Sequence, residues 1–187
     1  MNMNTTIKSL ALIGLLIPTL TNAQERFASR TGHVAFRSET TVETIEANNH
    51  KATSVYDPNT GALEFAVLIK AFEFEKALMQ EHFNENYMES NTYPKAVFKG
   101  KVVGVTAADL KKPGKYDVTV EGELTMHGVP NKVTNKATIS VEPTGTLKAE
   151  SDFNIKAEDY KIDIPSVVRK QIAEEIQVKV RIDYQKM

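Results

Sequence analysis

Tyr116-Asp-Val-Thr-Val-Glu-Gly-Glu-Leu-Thr-Met126 alternates throughout. Its even positions carry Tyr116, Val118, Val120, Gly122, Leu124 and Met126, and its odd positions carry Asp117, Thr119, Glu121, Glu123 and Thr125. A period of two puts successive side chains on opposite faces of an extended chain, so the stretch reads as a strand with one apolar and one wet face. The same period recurs downstream. Over 132–142, Val133, Asn135, Ala137, Ile139 and Val141 oppose Lys132, Thr134, Lys136, Thr138, Ser140 and Glu142. Near the C-terminus, Ile176, Val178, Val180, Ile182 and Tyr184 oppose Gln177, Lys179, Arg181 and Asp183. Strands of this kind belong to antiparallel sheets that are buried on one side.

Turn chemistry separates further strands. Asp57-Pro-Asn-Thr-Gly61 places proline where φ is preset and glycine where φ > 0 is needed, linking a strand over 51–56 to a longer one over 63–74. The longer one buries Leu63, Phe65, Val67 and Ile69. Residues 93–105 set Ala96, Phe98 and Val102 against Lys95, Lys99 and Lys101, and Lys111-Lys-Pro-Gly114 turns the chain onward. Pro143-Thr-Gly145 precedes a strand over 147–155, and residues 26–38 and 41–47 supply the first strands. Two segments break the period. Residues 75–83 bring strong helix formers, with Leu78, Met79, His82 and Phe83 three and four apart. Residues 165–173 open with proline and place Val168 and Ile172 on one stripe, which suggests a second short helix.

About eight antiparallel strands must hide their edges, and a closed barrel does so more fully than a sandwich. The expected fold is therefore all-β, an eight-stranded antiparallel lipocalin-like barrel with two short helices near its ends. A barrel of that size is either filled by side chains or holds one small ligand.

Composition narrows the function. The 187 residues include 23 basic and 24 acidic side chains, a net charge of −1, which removes the electrostatic case for nucleic acid. Cysteine is absent, which excludes disulfides, thiolate metal sites and cysteine nucleophiles. The N-terminus reads as a secretory signal. Lys8 is its one charge, Leu10-Ala-Leu-Ile-Gly-Leu-Leu-Ile17 is a short apolar core, and Thr21-Asn-Ala23 offers small residues for cleavage. A membrane span needs about 20 apolar residues, more than twice this core, so stable membrane insertion is not expected. The expected domains are a signal peptide over 1–23 and one barrel domain over 24–187, exported in soluble form.

Three stretches carry a family resemblance. Met79-Gln-Glu-His-Phe-Asn-Glu-Asn-Tyr-Met-Glu-Ser-Asn-Thr-Tyr-Pro-Lys-Ala-Val-Phe98 resembles the signature of the YceI-like family, a histidine-bearing helix end leading to an aromatic-acidic segment and "YP". Val120-Glu-Gly-Glu-Leu-Thr-Met-His-Gly-Val-Pro-Asn-Lys-Val133 resembles its glycine-containing strand and turn, and Phe153-Asn-Ile-Lys-Ala-Glu-Asp-Tyr-Lys-Ile-Asp-Ile-Pro165 its closing segment. His127 stands where a basic residue is usual, and Lys161 where glycine is usual. The resemblance implies a lipocalin-like barrel, export to the periplasm, and an isoprenoid or similar long-chain lipid bound in the lumen.

The inward faces then supply the candidate ligand site. Phe65, Val67, Ile69 and Phe98 come from the middle strands, and Val118, Val120, Leu124 and Met126 from the 116–126 strand. Ile139, Val141, Phe153, Val178 and Val180 complete the lumen candidates. His82, Tyr87, Thr125 and His127 are candidates for polar contacts at the mouth. Valine and alanine dominate these faces, aromatics make up 7% of the chain and tryptophan is absent, which favours unfilled volume. Among the chemical motifs, His33, His50, His82 and His127 lack metal spacing, and no phosphate loop, Gly-x-Ser-x-Gly or His-Glu-x-x-His occurs. Neither a cofactor nor a metal is expected. A non-catalytic lipid carrier is the leading reading. An enzyme using His82 and Glu81 (with Glu85 and Glu89 nearby) as acid and base remains an alternative, as does an envelope protein with a filled core.

Overall fold

The computed structural model describes residues 25–187. The expected signal peptide therefore lies outside the described residues. Nine strands occur among them: β1 (Phe27–Glu39), β2 (Thr44–Tyr56), β3 (Ala62–Leu68), β4 (Glu73–Phe74), β5 (Lys95–Val103), β6 (Gly114–Met126), β7 (Val129–Val141), β8 (Leu147–Lys156) and β9 (Glu175–Lys186). All pairings are antiparallel, in the order β1-β9-β8-β7-β6-β5-β3-β2, and β2 returns to β1 to close the ring. The molecule is thus a closed eight-stranded barrel, with the two-residue β4 added beside β2.

The 116–126 stretch lies within β6, which pairs with β7 along its whole length, from Gly114↔Val141 to Met126↔Val129. His127 and Gly128 alone connect them, at φ 52° and 73°. Positive φ at both central residues is the type I′ hairpin that matches strand twist. A Cβ at position 128 would stand 2.7 Å from the Tyr93 ring, so glycine is required there for space as well as for conformation.

Two expected strands merge and one divides. Residues 41–47 and 51–56 join into the single strand β2, which carries Asn48-Asn49-His50 through its middle. Asn49 is wholly buried because its side chain is paired at both ends, donating from Nδ2 to the Leu68 carbonyl at 2.9 Å and accepting from the Lys51 amide at 2.8 Å. The 63–74 strand breaks at a one-turn 3-10 helix, Ile69–Ala71, which swings Phe72 and Phe74 across to β2.

The helix expected over 75–83 forms as α1 (Ala77–His82), and it runs into a π-helical turn, Phe83–Tyr87, with Met88 bonded back to the Phe83 carbonyl. Residues 165–173 form isolated turns, Val168 to Pro165 and Gln171 to Val168, rather than a continuous helix. Ser166, Val167 and Val168 are weak helix formers, two of them β-branched, so nothing local extends the first turn.

The interior is unequal along the axis. At the end where β2 meets β3, β5 meets β6 and β7 meets β8, the barrel is packed. Tyr56, Val102, Leu110, Val118, Ile139, Val141, Leu147, Ile182 and Tyr184 form one buried cluster there. Leu110 comes from the connecting turn Asp109–Lys111 and plugs that end. At the opposite end the strands stand around open space.

Candidate functional site

That space is a cavity of about 380 Å³, within the usual size of small-molecule sites. The packed cluster is its floor. Three connections frame its mouth: the β1–β2 turn, the segment from Ile69 to Pro94 between β3 and β5, and the long link from Ala157 to Glu174 between β8 and β9. Its walls are overwhelmingly apolar.

Ten of the thirteen lumen candidates border it: Phe65, Val67, Ile69, Phe98, Val120, Leu124, Met126, Phe153, Val178 and Val180. Val118, Ile139 and Val141 face inward too, but they lie in the floor cluster and do not reach the cavity. The Phe98 ring occupies the space left by two glycines, Gly100 two residues along its own strand and Gly122 opposite Gly100 on β6. A Cβ on Gly122 would stand 2.9 Å from the Phe98 ring and would also collide with the Lys99 carbonyl.

The aromatic ring at the mouth is not among the residues singled out from the sequence. Phe36 of β1, Phe72, Phe74 of β4 and Phe83 of the π turn all border the cavity, with ring centroids 5.0–5.7 Å apart in edge, tilted and stacked arrangements. Such ring pairs add to the stabilisation that burial already gives. Phe36 was legible from the alternation Val34, Phe36, Ser38 in β1. Phe72 and Phe74 were hidden by the break at Ile69–Ala71. From the long link, Ile162, Ile164, Val168, Gln171 and Ile172 also border the cavity.

The four mouth candidates divide. His82 and Tyr87 border the cavity, His82 exposed and without a hydrogen bond or ion pair. Thr125 points to the outer side of β6, opposite Pro130. His127 sits in the hairpin turn, its ring 4.5 Å from that of Tyr93, with Nδ1 3.1 Å from the Tyr160 carbonyl and Nε2 3.5 Å from Glu89 Oε1. No contact joins His82 to His127. Glu81 and Glu85 are exposed, and Glu89 leaves the helical row at φ 42°. Among the described residues no group of three histidine, aspartate or glutamate side chains is placed to hold a metal ion.

The floor is polar at one point. Tyr184 borders the cavity, and its hydroxyl lies 2.7 Å from Ser54 Oγ. Burial pushes the Tyr184 phenol up to about 12, so it stays neutral and hydrogen-bonding at any physiological pH.

The arrangement can take up an apolar chain through the mouth and exclude water from it, and comparisons with known proteins agree in fold. No curated protein sequence matches the chain. Among solved structures, a polyisoprenoid binding domain from Saccharophagus degradans implicated in plant cell wall breakdown aligns at TM-score 0.74 and 15% identity, covering 88% of this chain and 99% of that one. BcnA of Burkholderia cenocepacia aligns at TM-score 0.66 and 20% identity, covering 82% and 96%. A YCEI protein of Campylobacter jejuni aligns at TM-score 0.56 and 15% identity, covering 100% and 99%. The model of the YceI-like domain matches residues 19–184, and the chain belongs to that family.

Proposed function

We propose that this barrel binds one long apolar chain of the polyisoprenoid class in its cavity and does no chemistry on it. The observation that carries the reading is the cavity itself: walled by aliphatic and aromatic side chains, closed below by a packed floor and ringed at the mouth by four phenylalanines. Each buried methylene of a ligand is stabilised by about 0.8 kcal/mol, so a chain of ten or more carbons needs few polar contacts to stay bound. The structural likeness to a polyisoprenoid binding domain points to the same ligand class. His82 and Glu81 are both exposed, and nothing orients His82 as an acid or base would need.

Mass spectrometry of organic extracts from gently purified protein tests this. A polyprenyl or other long-chain lipid near one per barrel is expected. An empty extract, together with no saturable uptake of added polyprenol, would overturn the reading. The same proposal holds that the protein is exported and cleaved after Ala23. N-terminal sequencing of protein from the cell envelope should start at Gln24, and an envelope form starting at Met1 would contradict it.

A further inference from the structure

β7 and β8 part after four residue pairs. Thr138, Ile139, Ser140 and Val141 pair with Glu150, Ala149, Lys148 and Leu147, and there the ladder stops. By contrast β7 pairs with β6, and β8 with β9, along their whole lengths. The stretches 129–137 of β7 and 151–156 of β8 are therefore not paired with each other. Near the rim the gap is covered by the turn Glu158–Tyr160, to which Asn131 Nδ2 donates at the Asp159 carbonyl, 2.7 Å away. Lower down, only the Ser151 hydroxyl crosses it, donating to the Lys136 carbonyl at 2.7 Å. The other short ladder, β2 with β3, is patched by β4 and by the buried Asn49. The β7–β8 gap has no such patch.

The cavity extends to this gap. Glu150 points away from the barrel and is exposed, held by Arg181 Nε at 3.1 Å, yet it borders the cavity together with Val133, Asn135, Ala137 and Ser151. Backbone groups on two unpaired edges must be met by water or by a ligand. Asn135 adds a second feature. It faces inward between Val133 and Ala137 on an otherwise apolar wall, and its amide makes no hydrogen bond to any described residue. A primary amide offers two donors and an acceptor, and leaving them unmet beside apolar surface is costly.

We propose that the gap between β7 and β8 is a side opening where the polar end of the bound amphiphile emerges, hydrogen-bonded by the Asn135 amide. The charges at the lip favour a neutral head, a hydroxyl or similar group, over a phosphate. Arg181 is already shared by Glu150 at 3.1 Å and Asp152 at 3.0 Å, two carboxylates on one guanidinium, so no free cation of that trio is left for a phosphate. The proposal rests on the chain-binding reading above.

Photo-crosslinking of the unaltered protein tests it. Two sixteen-carbon primary alcohols serve as probes, one with a diazirine beside the hydroxyl and one with it at the far terminus. The head-labelled probe should mark residues 133–137 or 149–153. Marking confined to mouth residues 36–45, 79–87 or 162–172 would overturn the side opening while leaving chain binding intact. Failure of both probes to bind saturably would overturn chain binding, and this proposal with it. Asn135→Leu should weaken retention of the unmodified alcohol about threefold to tenfold, the worth of one hydrogen bond, and leave hexadecane retention unchanged. Equal changes for alcohol and alkane would remove Asn135 from the site.

Discussion

At the scale of single residues, the floor turns on one hydroxyl. Ser54 Oγ donates to the Glu64 carbonyl at 3.1 Å, so its own hydrogen is committed, and Tyr184 must donate to it across 2.7 Å. Tyr56 packs nearby, ring centroids 6.3 Å apart, and its buried hydroxyl has no hydrogen-bond partner. Burial, the larger cause, raises both phenols to about 12, with a further push on Tyr56 from Asp57. The sign of the pH dependence follows. As pH rises past the ordinary tyrosine value of about 10, the unfolded chain releases these protons while the folded barrel keeps them. Their contribution is therefore complete below pH ~10 and falls away between about 10 and 12. Tyr184→Phe should cost about 1 kcal/mol at pH 7 through the lost hydrogen bond, and that cost should shrink at pH 11. Urea titrations at the two pH values measure it. A cost that stays constant or grows with pH would show that the phenol is not held neutral by burial.

At the scale of elements, each long strand has two jobs along one face. In β9, Ile182 and Tyr184 pack into the floor, whereas Val178 and Val180 wall the cavity. In β6, Val118 belongs to the floor, and Val120, Leu124 and Met126 to the cavity. Alternation made the face legible in the sequence, because period two is a property of the backbone itself. Depth along the barrel was not legible, since it depends on where the ring closes and what plugs its end. Leu110, the plug, sits in a turn with no periodicity at all. Residues 165–173 show the same division: the stripe of Val168 and Ile172 does turn toward the cavity, although the helix that suggested it does not form. The Trp substitutions below separate the two halves. Val141 and Val178 are almost equally buried, at 7% and 8% exposure, but only Val178 adjoins open space. Val141→Trp should overpack the floor and cost about 1–3 kcal/mol or more, whereas Val178→Trp should cost well under that and abolish polyprenol uptake. Equal stability losses, or normal uptake by Val178→Trp, would mean that the cavity is not the binding space.

At the scale of the whole molecule, a barrel whose largest packed cluster lies at one end and whose cavity lies at the other has an uneven distribution of stability. The floor half is close-packed across the lumen. The mouth half has ladders, two smaller buried clusters and an aromatic ring, but its side chains surround open space and its ladder is interrupted between β7 and β8. A chain in the cavity would supply contacts across that space, so ligand binding and mouth-half stability are one quantity measured two ways. A ligand present at a hundred times its Kd adds about 2.7 kcal/mol, which for a domain of this size raises Tm by roughly 5–11 °C. The gain should be uneven. Amides that open locally near the mouth, in 34–37 of β1 and 176–180 of β9, should gain the most protection from hydrogen exchange on loading with polyprenol. Amides in the floor, 138–141 of β7 and 182–184 of β9, already open only with the whole barrel, and their protection should rise only by the global increment. Comparing delipidated and loaded protein by exchange mass spectrometry reads both effects at once. A rise in Tm with protection gained equally at both ends would place the ligand outside the cavity, and no rise at all would mean that the apolar chain does not bind the folded barrel.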